Sequence, residues 1–201
     1  LTVMQLLATL PVEVRDLGRL ADDAGAVSEA LANGALDCDA MITSGGVSVG
    51  DADYISETIE KLGTLAFWRL NLKPGKPMAF GKIGNCWIFG LPGNPVSTIV
   101  TALLLVRPAL ATLAGTVADA PLRIKAKLTT PLQHHPGRRE YQRGTFTQHA
   151  GEFAVSHTGD QGSNRLSTFH AANCLIEVDK ETGDLNSGHW VNILPLTYLI
   201  N

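Results

Sequence analysis

The stretch Thr43-Ser44-Gly45-Gly46-Val47-Ser48-Val49-Gly50-Asp51-Ala52-Asp53, TSGGVSVGDAD, stands where an apolar run ends and a helical pattern begins at Tyr54. Residues 39–43 read as a buried strand, so the glycines fall beyond its carboxyl end. In an open α/β sheet that is where ligands bind. Glycine allows positive φ and close backbone approach, and hydroxyls with freed amides form a nest for anionic oxygens. An ordinary strand-to-helix turn, capped by Asp51 or Asp53, explains the same residues.

Working outward, helical and strand signals alternate. Residues 1–10 read as an amphipathic helix and residues 12–17 as a short strand. Residues 21–32 read as a helix, with Gly34 just past its end where a left-handed cap belongs. Residues 54–62 read as a helix stopped by Gly63. Residues 67–72, 78–82 and 86–90 read as strands, with a hairpin turn at Ile83-Gly84-Asn85. Residues 95–114 form a long apolar helix. This alternation predicts an α/β unit with a mostly parallel, three-layer sheet over residues 1–117. A linker-like stretch, GTVADAP, follows at 115–121. Residues 118–201 then carry five strand signals, at 122–129, 140–148, 152–158, 173–178 and 190–195. That spacing predicts a small all-β, barrel-like domain.

The 201 residues are 45% hydrophobic and 17% charged, with net charge −3. Such a balance gives no basic field for nucleic acid and no attraction to an anionic membrane surface. Three scattered cysteines without a CxxC pair fit a reducing, cytoplasmic setting rather than a disulfide framework. The longest apolar stretch, 99–106, is broken by Arg107 and Pro108, too short to span a bilayer. The chain lacks an initiator Met and opens inside a helical pattern, so it reads as a fragment.

Two further segments carry chemistry. In Gly90-Leu91-Pro92-Gly93-Asn94-Pro95-Val96-Ser97, Asn94 is a favoured N-cap and Pro95 suits the first helical position. That helix points its positive dipole end at the same sheet edge. In Lys73-Pro74-Gly75-Lys76-Pro77, Pro-Gly suits the centre of a type II turn, whose ends approach within about 7 Å. Lys73 and Lys76 then form an anion clamp; the alternative is a solvated turn with the lysines apart. Asp39, Asp51 and Asp53 are carboxylates of the kind that share Mg²⁺ with phosphate, and Asp53 is the strongest catalytic candidate. The six histidines all follow Gln133 and show no zinc-like spacing. Arg138, Arg139, Arg143 and Arg165 read either as a basic edge or as ordinary strand-face charges.

TSGGVSVGDADY, FWRLNLKPGKPMAFGK and WIFGLPGNPVST, in that order, resemble the C-terminal half of the molybdopterin molybdenumtransferase and gephyrin-like family. PGRREYQRG and GDQGSNRLSTFHAANCLI resemble its terminal β-domain, so the likeness covers essentially the whole chain. The resemblance implies a cytoplasmic, homodimeric transferase that inserts molybdate into adenylylated molybdopterin with Mg²⁺ and releases AMP. It implies a molybdopterin-binding fold whose first strand is missing here, and it allows a molybdopterin adenylyltransferase as partner. By resemblance, Thr43, Ser44, Gly45, Gly46 and Ser48 line a pterin-phosphate pocket. Pro92, Gly93, Asn94, Pro95 and Ser97 form its far wall. Asp53 is catalytic or metal-holding, Asp39 lies near the nucleotide, and Lys73 and Lys76 contact molybdate or phosphate oxygens. The family's Thr-Gly-Asp-Glu motif and further N-terminal domains do not occur in this chain, so the isolated segment is expected to be inactive. An adenylyltransferase and a non-catalytic scaffold are the competing readings. The KPGKP and LPGNP segments and the β-domain argue against the first.

Overall fold

The computed structural model describes residues 3–47, 53–116, 120–162 and 165–200. The chain divides into two compact units, residues 1–70 with 75–116, and residues 71–74 with 117–201. The expected boundary at 117/118 lies outside the described residues.

The first unit opens with a short helix, α1 (Val3–Leu7), and an irregular stretch where a strand is expected at 12–17. Among the described residues no strand pairs with 12–17; the Val12 amide donates to the Leu10 carbonyl at 2.8 Å, and Asp16 accepts the Gly18 amide at 2.8 Å. Helix α2 (Ala24–Asp37) starts at Asp23, whose carboxylate accepts the Ala26 amide at 2.8 Å. Gly34 does not end this helix. It sits inside, because a Cβ there would lie 2.4 Å from Met41 Cε, so the glycine lets α2 press onto the next strand.

That strand, β1 (Ala40–Ser44), leads to α3 (Tyr54–Leu62), β2 (Thr64–Arg69), β4 (Pro77–Ile83) and β5 (Cys86–Leu91). β3 (Leu72–Lys73) belongs to the second unit. The sheet order is β1-β5-β4-β2. β1 and β5 run parallel, while β5–β4 and β4–β2 are antiparallel. The sheet is therefore mixed rather than mostly parallel. The hairpin at Gly84-Asn85 explains the change, since a two-residue connection can join only antiparallel strands. Gly84 has the positive φ (57°) such a turn requires.

Val27, Leu31, Ile55 and Ile59 from α2 and α3 pack with Met41, Ala79 and Ile88 in one core. Phe89, the next residue on β5, faces the other side, with Phe80 at a ring separation of 5.0 Å. α4 (Pro95–Thr101), a π-helical turn (Ala102–Val106) and α5 (Arg107–Leu113) form one continuous helix. The π turn falls where Pro108 has no N–H to give the preceding turn. This helix is long and apolar enough to suit a membrane, but Val96, Ile99, Val100, Leu103 and Val106 are buried in the unit's core. Arg107, 6% exposed, donates to the Leu6 carbonyl and the Thr9 hydroxyl, tying α1 to the helix. Burial pushes its pKa down.

The second unit is a closed barrel of β6 (Ile124–Leu128), β7 (Arg139–His149), β8 (Glu152–His157), β9 (Cys174–Val178) and β10 (Trp190–Pro195). The order β7-β8-β6-β10-β9 returns to β7, so these five strands leave no open edge among themselves. All five match the strands expected from the sequence. α6 (Ser167–Ala171) and α7 (Leu196–Ile200) are short additions. β3 pairs with β7 in parallel, Leu72 with Arg139 and Lys73 with Glu140. One buried carboxylate binds several strands: Glu177 accepts from Arg123 (2.8 and 3.2 Å) and from the Tyr141 hydroxyl (2.8 Å). Burial alone would raise the Glu177 pKa, but these hydrogen bonds and the Arg123 and Arg139 charges outweigh it and hold it below 4.5. Burial and the Glu177 bond push Tyr141 up to about 12.

Two outcomes follow from these contacts. A Cβ at Gly63 would lie 1.9 Å from the Lys82 carbonyl oxygen, where the end of α3 meets the hairpin. Gly63→Ala is expected to lower stability by about 1–3 kcal/mol, measured by urea unfolding; an unchanged midpoint would refute that close approach. A carboxyl with a lowered folded pKa stabilises above its unfolded value, and that contribution is lost as pH falls through the folded one. Glu177→Gln should therefore cost about 2 kcal/mol at neutral pH. It should also flatten the loss of stability below pH 4.5, the carboxyl's ordinary value, which paired melts at neutral and acid pH would show.

Candidate functional site

In the first unit the site begins with strand register. Thr43 lies opposite Gly90 and Ser44 opposite Leu91, so β1 and β5 end side by side and their loops leave the same sheet edge. The Gly45 amide donates to the Leu91 carbonyl at 3.1 Å. A Cβ on Gly93 would lie 3.5 Å from Gly45 Cα, so the two loops touch. Gly45 and Gly46 adopt φ of 96° and 72°, the left-handed region that favours glycine. Val47 is buried, and a Cβ on Gly90 would meet Val47 and Ile55 at 2.7 and 2.8 Å. Gly90 thus lets the loop settle onto β5. The Thr43 hydroxyl is buried with no hydrogen-bond partner among the described residues. Ser48, with Asp51, lies outside the described residues.

Asp53 is the N-cap of α3. One carboxylate oxygen accepts the Ser56 amide at 3.1 Å and the other the Ser56 hydroxyl at 2.8 Å. The capping alternative is therefore realised, and the carboxylate is held at the loop's end. On the facing loop, Asn94 precedes α4 in extended conformation and Pro95 opens the helix. The Asn94 side chain makes no cap bond. Thr98 braces the loop in another way: its hydroxyl faces the Pro92 carbonyl at 2.5 Å and that of Asn94 at 2.8 Å, to which it donates. Ser97 is buried beside it. Asp39 is not brought to this edge. It precedes β1, and five residues of strand at about 3.3 Å each separate it from Ser44 by roughly 16 Å.

In the second unit a cavity of about 530 Å³ is lined by Lys73, Gln133, His134, Glu140, Gln142 and Asp160, among others. Instead of a simple turn, the Lys-Pro-Gly-Lys segment contributes β3 to β7. The Lys73–Pro74 peptide is cis, and Gly75 has φ 120°. Lys76 belongs to the first unit, so the pairing of the two lysines is a feature of neither unit alone. Lys73 instead meets Glu140, Nζ to Oε1 at 3.0 Å, with the glutamate 3% exposed. The other oxygen, Oε2, makes no hydrogen bond among the described residues and lies 3.7 Å from His134 Nε2. His134 is itself buried, with ring nitrogens 2.7 Å from the Thr182 carbonyl and 3.0 Å from that of Arg138.

Arg143, on β7, is wholly buried. It donates to the Thr168 hydroxyl at 2.9 Å and to the Asp160 and Gly162 carbonyls at 3.2 and 3.1 Å. Burial pushes its pKa down, against the pull of Asp160 and Glu140. Gln161 completes the arrangement by pairing its side-chain amide with the Arg143 backbone. Arg143 is thus no part of a basic edge. Sequence reasoning missed Glu140, His134 and Thr98 as site residues. The signal for Glu140 was its place in PGRREYQRG, but only the β3–β7 register shows that it faces Lys73. No group of three or more His, Cys, Asp or Glu able to hold a metal occurs among the described residues.

Comparison with known proteins decides the family. Residues 2–112 match the model described as probable molybdopterin binding domain, and residues 125–196 match MoeA C-terminal region (domain IV). The chain belongs to the molybdopterin-binding domain family. It is 42% identical over 201 residues to the molybdopterin molybdenumtransferase of Haemophilus influenzae, covering 99% of this chain and 50% of that protein. It is 37% identical to gephyrin of Dictyostelium discoideum, over 79% of this chain and 26% of that one. The chain thus spans half or less of the length of these relatives. Among solved structures it resembles a molybdopterin biosynthesis protein from Pyrococcus horikoshii, at TM-score 0.71 and 25% identity over 89% of this chain and 42% of that one. A molybdenum cofactor biosynthesis protein from Pyrococcus furiosus shares the fold at TM-score 0.74 and 22% identity, over 96% and 63%.

Proposed function

We propose that the chain forms part of a molybdopterin molybdenumtransferase, which inserts molybdate into adenylylated molybdopterin and releases AMP. The observation that carries this reading is the contact between the Gly45-Gly46 and Pro92-Gly93-Asn94 loops at one sheet edge. It is supported by the H. influenzae relative, which carries that name. Residues 1–117 form the molybdopterin-binding part and residues 118–201 the barrel part. Thr43, Ser44, Gly45, Gly46 and Ser48 take one side of the pterin phosphate. Pro92, Gly93, Asn94, Pro95 and Ser97 take the other, while Lys73 and Lys76 meet molybdate or phosphate oxygens. Asp39 is left out, because β1 carries it to the far end of the strand.

Asp53 fits Mg²⁺ as a single carboxylate ligand. Each of its oxygens accepts one hydrogen bond and keeps a lone pair, and Mg²⁺ usually takes one or two carboxylates with water and phosphate oxygens. Bound there, the ion would neutralise charge building on the anhydride as AMP leaves. The chain's own residues hold the phosphate close, shield it from water, and fix the carboxylate through Ser56. The described cysteines are all unbridged, which supports a reducing, cytoplasmic setting. A homodimer, with a molybdopterin adenylyltransferase handing over substrate, completes the proposal.

Asp53→Asn separates the two jobs of this residue. Asparagine still caps the helix, so the melting temperature should barely move. In the full-length protein, molybdate-dependent AMP release should fall on the order of 100-fold through loss of the charge. Asp53→Ala should lose both activity and about 1 kcal/mol of stability. Wild-type AMP release by full-length Asp53→Asn would remove Asp53 from the chemistry; peptide binding with no AMP release even in the full-length wild type would favour a scaffold.

A further inference from the structure

Lys73 and Glu140 are direct register partners across the parallel β3–β7 pair, so their side chains leave the same face as neighbours. The Lys73 side chain, at the cavity, is 44% exposed, whereas that of Glu140, which holds its ammonium at 3.0 Å, is 3% exposed. A pair of this kind adds little to stability, because burying the carboxylate forfeits its hydration and the lysine is half in water. Its second oxygen is buried without a hydrogen bond among the described residues, a further standing penalty. Packing does not require it, since an apolar side chain of that size would fill the space on β7. What the pair does achieve is orientation. Lysine otherwise samples many rotamers, and a fixed acceptor holds the ammonium in one place while occupying one of its three N–H bonds.

We propose that Glu140 is the positioning residue for Lys73, fixing its ammonium at the cavity so that the remaining N–H bonds are presented to an oxyanion. This rests on the reading above that Lys73 meets an oxyanion during transfer. His134, 3.7 Å from the second oxygen, backs the carboxylate from behind. The carboxylate also offsets the lysine's charge, so the anion is held by directed hydrogen bonds rather than by a net positive field.

The test is a double-variant cycle in the whole protein, with molybdate as the varied ligand and AMP release as the rate. Lys73→Met should raise KM for molybdate on the order of tenfold or more and lower kcat at least as far as Glu140→Gln does. Glu140→Gln keeps size and an acceptor oxygen but loses the charge. It should lower kcat on the order of 10- to 100-fold while KM for molybdate stays level or falls, since the offset is gone. The double variant should be no worse than Lys73→Met alone, because Glu140 acts only through the lysine. Independently of turnover, the Lys73 ammonium should give a protected ¹H–¹⁵N signal in the wild type that Glu140→Gln loses. Wild-type kinetics in Lys73→Met would sink the oxyanion reading itself. An impaired Lys73→Met beside an unaffected Glu140→Gln, or losses that simply add in the double variant, would overturn the positioning role alone. Should Glu140→Gln not fold, Glu140→Asp carries the same test, keeping the charge but withdrawing it by one methylene.

Discussion

Parallel pairing of β1 with β5 is the constraint on which the first unit's site depends. Parallel strands end on the same side, so the loops after Ser44 and Leu91 emerge together without any further device. Shifting that register by one residue would turn Met41 out of the core and part Gly45 from Leu91. Glycine then serves in two ways: Gly90 removes the side chain that would hold Val47 and Ile55 off β5, and Gly45 and Gly46 supply the positive φ of the turn. The core and the site are therefore not separate achievements. Val47 and Ile55 pack onto Gly90, and the same packing seats the start of α3, with Asp53 as its cap, beside Gly46.

Buried polar groups divide into two kinds by how completely they are satisfied. Glu177 and Arg143 have their hydrogen bonds met, the one by Arg123 and Tyr141, the other by Thr168 and two carbonyls. Fully satisfied networks of this kind rigidify the barrel and specify its geometry. Glu140 and the Thr43 hydroxyl have not, and both lie where a ligand is proposed to bind. A fold that satisfies Glu177 with two side-chain donors does not leave Glu140 half-paired for want of donors nearby. His134, at 3.7 Å, turns its ring to backbone carbonyls instead.

Much of this was legible in the sequence because it is local. Asp23, Asp53 and Pro95 announce helix starts, and the Gly84-Asn85 hairpin and five barrel strands follow from alternation and turn residues. Gly34 misled because a glycine near a helix end reads the same whether it caps or packs; only the position of Met41 distinguishes them. Residues 12–17 have strand composition but no pairing strand among the described residues, and pairing is not a property of the segment alone. Asp39 was assigned to the wrong end of its strand for want of direction, since an acidic residue beside an apolar run does not say which end meets the ligand.

Lys73 shows the same limit most sharply. Its neighbours in sequence are Pro74, Gly75 and Lys76, and from them a clamp of two lysines is the natural reading. In the structure its charge is answered by a residue 67 positions later, through a pairing of only two residues, Leu72–Lys73 with Arg139–Glu140. Two-residue strands carry almost no periodic signal, so nothing in the composition of 71–74 distinguishes a strand from a turn. Yet this short pairing decides whether Lys73 is a mobile surface charge or a fixed donor. The carboxylate that fixes it is buried, so the lysine's position is set by the barrel's core and not by the loop that carries it.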